Sequence, residues 1–212
     1  KPNIDKMKKL FFVLISIGML LYNAEILSKN TSNSSLSTLF SNATENKFFN
    51  RAEIIKKFIG NNSKYNSEFA FIIDMKILSG KKRFFVYDLK NNKIVDQGLV
   101  SHGIGSQTKT EGELIFSNEP NSLSTSLGKY SIGSSYNGKF GKAYKLFGLE
   151  QTNNKAFARN IVLHKYSKVP FDEQDQPICK SLGCPMLNVE FYKRIETLID
   201  NSKTNIILDI VY

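Results

Sequence analysis

Ser181-Leu182-Gly183-Cys184-Pro185 sets a turn of small residues around a cysteine, twenty positions beyond the end of the strand-like run Asn160-Ile161-Val162-Leu163-His164. A thiol, a base and exposed backbone N–H groups are the parts a sulfur nucleophile needs. A free cysteine titrates near 8.5, so attack on a carbonyl requires a neighbouring base or positive charge. A loop of this length folds back far enough to bring the His164 imidazole to the Cys184 sulfur. Gly183 lets the backbone turn sharply and approach a substrate. The N–H groups of Gly183 and Cys184 would then face the oxyanion of a tetrahedral intermediate. Pro185 fixes the chain just after the thiol.

The chain holds two cysteines and two histidines, and the residues alone leave three other readings open. Cys179 and Cys184 would pair as a disulfide in an oxidising compartment, closing a small loop over the nucleophile. His102, His164, Cys179 and Cys184 would supply four zinc ligands, although their spacing matches no common zinc pattern. Each residue would otherwise be structural, as a buried thiol or a hydrogen-bonded histidine.

Outward from this turn the pattern is mostly β. Phe69–Asp74 is a short apolar run. Arg83–Asp88 and Ile94–Val100 flank the turn Lys90-Asn91-Asn92-Lys93 and predict a hairpin. Nine of the thirteen glycines lie between 98 and 148, which predicts turns and bulges between short strands rather than helices. Strands are expected at 129–134, 143–148 and 160–165, with a buried strand at the end, Ile206–Tyr212. Phe48, Ala52, Ile55 and Ile59 form one helical stripe over about 45–60, with Thr44 as its cap. Asn188 caps a second helix over 189–200, in which Tyr192, Ile195, Leu198 and Ile199 share a face. The expected fold class is α+β, mostly β, a single domain of short strands with two or three packed helices.

Met7-Lys8-Lys9 precedes the 13-residue apolar run Leu10–Tyr22, a positive tip and core that match an export signal. The run falls short of the ~20 residues of a comfortable spanning helix. Tyr22 suits a cleavage site poorly, so an uncleaved membrane tether stays open. Residues 1–27 are therefore read as export signal or anchor, 28–46 as a linker rich in Ser and Asn, and 47–212 as the folded domain. The net charge of +10 favours anionic surroundings, yet the lysines form no block and no interleaved aromatic–basic motif, so nucleic acid is not the expected partner. The oligomeric state is left open.

The stretch from about 69 to 210 resembles the murein L,D-transpeptidase catalytic-domain family, in the YkuD-like branch with a proline after the cysteine. His164, sixteen residues, then Ser181-Leu182-Gly183-Cys184 match its core motif. Other signatures follow in order. These are Val100-Ser101-His102-Gly103, Phe116-Ser117-Asn118, Ser126-Leu127-Gly128 with Tyr130, Tyr136-Asn137-Gly138-Lys139 with Gly141, Gly148-Leu149-Glu150, and Asn154, Ala156, Phe157 and Arg159 before Ile161-Val162.

The resemblance implies an envelope or periplasmic enzyme that attacks the diaminopimelate–D-alanine bond of peptidoglycan stem peptides. Cys184 would form a thioester with His164 as base and then acid, with no metal and no cofactor. Ser181 would orient the histidine or the substrate. His102, Tyr136 and Lys180 would contact the stem. A second amine would give a 3–3 cross-link, and water a tripeptide. Departures sit beside the expected groove: Lys165 where many relatives have Gly, Lys180 where many have Arg, Leu182 where many have His, and Phe140 where His is frequent. They motivate the alternative of a catalytically weak peptidoglycan-binding module on the same scaffold.

Overall fold

The computed structural model describes residues 46–60, 62–110 and 112–212. The export signal expected over 1–27, and the linker up to residue 45 with its Thr44 cap, lie outside the described residues. The chain divides into two compact units, Lys1–Asn50 and Arg51–Tyr212. Helix α1 covers 46–59, and the sheet and the site belong to the second unit. No helix of the described residues is long and apolar enough to cross a membrane.

Eight strands form one mixed sheet. In chain order they are β1 (Tyr65–Asp74), β2 (Phe84–Asp88), β3 (Lys93–Gly98), β4 (Gly128–Gly138), β5 (Gly141–Gly148), β6 (Val162–Lys165), β7 (Met186–Leu187) and β8 (Asn205–Val211). Their spatial order is β3-β2-β1-β8-β4-β5-β6-β7. The β1–β8 and β6–β7 pairs are parallel and the others antiparallel. Helix α2 (Val189–Asn201) joins β7 to β8.

β8 lies between β1 and β4, and Ile206 to Ile210 are all buried. A strand covered on both faces reads as an unbroken apolar run, as this one does. Its one charge, Asp209, is fully buried and paired with Arg51 of α1, which places α1 on the face Asp209 occupies. The alternate residues Ile206, Leu208 and Ile210 join Phe71, Phe84 and Tyr130 in the main core. Phe191, Tyr192 and Ile195 of α2 pack into that core, with the Phe84 and Phe191 rings edge to face at 5.4 Å.

The hairpin forms because the Asp88 carboxylate accepts from the N–H groups of Lys90 and Asn91, both at 2.9 Å. Asn188 starts α2 as expected, accepting from Glu190 N–H at 2.8 Å and Phe191 N–H at 3.4 Å. Its side-chain amide also donates to the Val169 carbonyl at 2.9 Å. Asn188→Ala is therefore expected to cost about 1–2 kcal/mol. Urea unfolding with an unchanged slope would check it, and an unchanged midpoint would remove the cap's role.

Several boundaries move: β1 starts at Tyr65, β4 runs on to Gly138 and β5 starts at Gly141, and two further shifts have a visible cause. β6 begins at Val162, because Asn160 has φ +58° and closes the preceding turn. β3 ends at Gly98, which leaves no room for a side chain: a Cβ there would lie 2.2 Å from the Phe191 ring. The chain then crosses to the far end of the sheet, where Val100 pairs with Leu187 of β7. Ser101 N–H donates to the Met186 carbonyl at 3.0 Å, and Met186 N–H to Ser101 Oγ at 3.1 Å. The two ends of the sheet are thereby joined at the segment that carries Cys184.

Candidate active site

Cys184 and His164 meet through the parallel pairing of β6 and β7. His164 is in register with Met186, and its N–H donates to the Pro185 carbonyl at 3.4 Å. Two steps back along both chains, Val162 N–H donates to Cys184 Sγ at 3.4 Å. The thiol in turn donates to the Asn160 carbonyl at 3.7 Å. Burial pushes the thiol pKa up, opposed by the Val162 N–H and the Arg159 guanidinium. The resting sulfur is therefore protonated at neutral pH.

The imidazole is held on two sides. His164 Nδ1 lies 3.0 Å from the Lys165 carbonyl oxygen, which can only accept, so Nδ1 carries the proton and Nε2 is the free base. Phe140 stacks on the ring at 5.1 Å, with planes 16° apart. Burial lowers the His164 pKa from 6.5, against the Lys165 carbonyl. Among the described residues no hydrogen bond joins His164 to Cys184. The Lys165 stem passes over Gly141, where a Cβ would stand 3.2 Å from Lys165 Cε; Gly141, at φ +85°, accommodates a lysine after the histidine.

Ser181 and Gly183 engage each other rather than the histidine or open space. Gly183 N–H donates to Ser181 Oγ at 3.1 Å, and Ser181 is buried. That bond occupies the N–H expected at an oxyanion and shapes the turn instead. Cys184 N–H makes no hydrogen bond among the described residues. Gly183 has φ +119°, and a Cβ there would meet the Ile161 side chain and the Ser124 carbonyl at 3.0 Å, so the turn requires glycine.

Arg159 builds the floor of this turn. Its guanidinium donates to the carbonyls of Ser124 at 2.6 Å and Ser117 at 3.0 Å, and to the hydroxyls of Ser126 at 3.2 Å and Ser122 at 3.3 Å. One residue thus ties the 117–126 loop to the strand that carries the base. In the sequence Arg159 stands out only as one motif position among many.

His102 and Lys180 sit elsewhere, bordering a cavity of about 330 Å3 that neither Cys184 nor His164 lines. The His102 carbonyl accepts from Ser181 N–H at 2.9 Å, which links the cavity wall to the Cys184 turn. Arg83, fully buried, is legible in the sequence only as the start of a strand. It donates to His102 Nδ1 at 2.9 Å, to the Val100 carbonyl and to the Ile77 carbonyl. Arginine cannot accept, so the His102 proton resides on Nε2, which is buried and without a partner among the described residues.

Burial, Arg83 and Lys180 lower the His102 pKa from 6.5 to about 4. Between those values the unfolded chain holds a proton that the folded chain does not. Stability therefore falls as pH drops from 6.5 towards 4, by about 2–3 kcal/mol from this group. Denaturation of wild type beside His102→Gln at pH 7 and pH 4.5 checks this. The variant should lose less on acidification, and an equal loss would refute the assignment.

Tyr136 lies on the same face of the sheet as His164. It pairs with Ala143, which pairs with His164, so the three share one row across β4, β5 and β6. Lys145 of β5 pairs with Val162 two rows on, on the same face. No sequence motif singles it out.

Cys179 and Cys184 are both free thiols. The four residues considered for zinc do not gather: no group of three or more His, Cys, Asp or Glu side chains among the described residues is placed to hold a metal.

A family model described as an L,D-transpeptidase catalytic domain matches residues 42–208. Solved structures resemble the chain at low identity. An L,D-transpeptidase from Xylanimonas cellulosilytica is 12% identical, with TM-score 0.36, over 69% of this chain and 61% of that one. An L,D-transpeptidase from Mycobacterium smegmatis is 10% identical, with TM-score 0.37, over 68% and 59%. The helical cell shape determining protein Pgp2 from Campylobacter jejuni is 14% identical, with TM-score 0.41, over 75% and 53%. The chain thus spans half to three-fifths of the length of these structures. No curated protein matches it.

Proposed function

The chain belongs to the L,D-transpeptidase catalytic-domain family, and from that premise we propose that it is an exported cysteine enzyme that acts on peptidoglycan stem peptides through a Cys184 thioester. One observation carries the reading. An imidazole whose free lone pair is fixed on Nε2 lies on β6, and the thiol lies two residues before β7, which pairs with β6, and accepts from Val162 N–H of β6.

Attack breaks the S–H bond, passes the proton to His164 Nε2 and forms a C–S bond at the carbonyl carbon. The negative charge on the carbonyl oxygen falls beside Cys184 N–H, the donor left free in the turn. Collapse breaks the C–N bond, and Nε2–H returns the proton to the departing amine of D-alanine. The amine of a second stem then attacks the thioester, His164 takes its proton, the C–S bond breaks and the proton returns to the departing Cys184 sulfur, giving a 3–3 cross-link; water in place of the amine gives a tripeptide. Tyr136 on the catalytic face, and His102 and Lys180 at the adjoining cavity, provide the peptide-binding surfaces. Ser181 acts on the turn, by holding Gly183. The domain, read as 47–212 behind an export signal or anchor at 1–27, works in the cell envelope.

Tetrapeptide-rich sacculi incubated with the protein test this. New 3–3 dimers or tripeptides in the muropeptide profile are expected. An unchanged profile from folded protein with a free Cys184 thiol would overturn it in favour of a peptidoglycan-binding module.

The pH profile follows from the resting pair. The imidazole must be neutral to accept the thiol proton, and burial holds its pKa below 6.5. The acylation rate is expected to rise with pH with a midpoint below 6.5 and to stay level up to about pH 8.5. Stopped-flow acylation would read it, and a midpoint above about 7 would exclude His164 as the base.

A further inference from the structure

Lys145 shares the catalytic face with His164, because its β5 neighbour Ala143 pairs with His164 and strand residues two apart point the same way. Its own partner across the strands is Val162, whose N–H bonds the Cys184 sulfur. β5 and β7 are two strand spacings apart, about 10 Å, so a peptide held at Cys184 spans the distance to β5 with its next residue.

Among the described residues Lys145 makes no ion pair and no hydrogen bond through Nζ, whereas its β-sheet neighbours Lys129 and Lys142 are paired with Glu150 and with Glu196 and Asp200. It is held instead between aromatic faces, 5.4 Å from the Phe157 ring and 6.0 Å from the Tyr136 ring. Phe157 stacks on Phe147 at 4.9 Å and 11°, and all three rings are partly open to solvent. Phe147 lies flat because it crosses Gly133, where a Cβ would stand 2.3 Å from the ring. A half-buried cation seated on aromatic rings beside a nucleophile, with its own charge unanswered, is built to receive an anion.

We propose that Lys145, held by Tyr136 and Phe157, binds the terminal carboxylate of the amino acid that Cys184 releases. This rests on the proposed function for the identity of the ligand. In a tetrapeptide the carboxylate of the last residue lies one residue beyond the attacked carbonyl, within reach of a cation two strands from the sulfur. The subsite makes the enzyme select donors that end in a free acid one residue past the bond it opens.

Calorimetric binding to the full chain carrying Cys184→Ala tests this without turnover. The probes are a stem tetrapeptide with a free C-terminus and the same peptide as its C-terminal amide. The acid is expected to bind at least tenfold more tightly than the amide, and Lys145→Met to remove that difference while leaving the amide unchanged. Lys145→Arg should restore much of it. Equal binding of acid and amide, or an equal loss for both in Lys145→Met, overturns the assignment, as does binding of neither peptide. Muropeptide turnover by the wild type stands apart from these results: turnover without an acid preference removes Lys145 alone, and acid-selective binding without turnover removes the enzymatic reading alone.

Discussion

Cys184→Ala is expected to abolish turnover, by about 10^4-fold or more, because no other group on the face can form the thioester. The thiol is small, and the substitution removes only its two weak hydrogen bonds, to Val162 N–H and the Asn160 carbonyl. The change in stability should therefore stay below about 1 kcal/mol. The same incubation followed by intact-mass analysis checks both halves. Wild type should gain the mass of an acyl tripeptide unit, and Cys184→Ala should gain none while melting within a few degrees of wild type. Residual turnover in a cleanly folded variant would sink the thioester mechanism. Cys184→Ser separates geometry from nucleophilicity, since a hydroxyl fits the site but ionises far less readily.

Arg159→Ala is expected to cost about 10^2-fold in rate without touching either reacting group. Two effects combine. The Ser117 and Ser124 carbonyls lose their donors, which frees the loop that carries the wall against Gly183. Cys184 loses the positive charge that opposes the burial of its thiolate. Stability should fall by about 1–3 kcal/mol. The readout that a purely structural role would not move is the pH dependence of Cys184 alkylation. Its midpoint should rise in Arg159→Ala and stay near wild type in Arg159→Lys, which keeps the charge and loses the forked geometry. An unshifted alkylation midpoint in the alanine variant would leave Arg159 as a loop tie only.

Much of this arrangement is legible in the residues, and the limit falls at a physical boundary. Elements whose cause is local can be read. Asn188 caps its helix, the turn Lys90-Asn91-Asn92-Lys93 joins the hairpin, and the apolar run through Leu208 is the covered central strand. The pairing of a histidine strand with a cysteine turn follows from their spacing and the family motif. Elements caused by distant partners cannot be read. β7 is two residues long, and Val100 pairs with it from far along the chain. Arg83 has no local mark of its bond to His102. Lys145 looks like any surface lysine until β5 is set against β6. The Gly183 N–H looks like a free donor in the sequence, because the ring it closes with Ser181 Oγ depends on a side-chain rotamer that the sequence does not display.

The joining of Val100 to Leu187 carries a consequence for how the chain acquires its chemistry. Those residues stand far apart along the polypeptide, so the contact between them is made against a large loss of chain freedom and late in folding. The β1–β2–β3 hairpins and the β4–β5 hairpin are local and form without it. The pairing of β6 with β7 spans only about twenty residues and can form early, so the late contact is the one that locks the Cys184 turn onto the first half of the chain. A lesion that slows this closure would prolong the time the turn spends unanchored before it altered the finished fold.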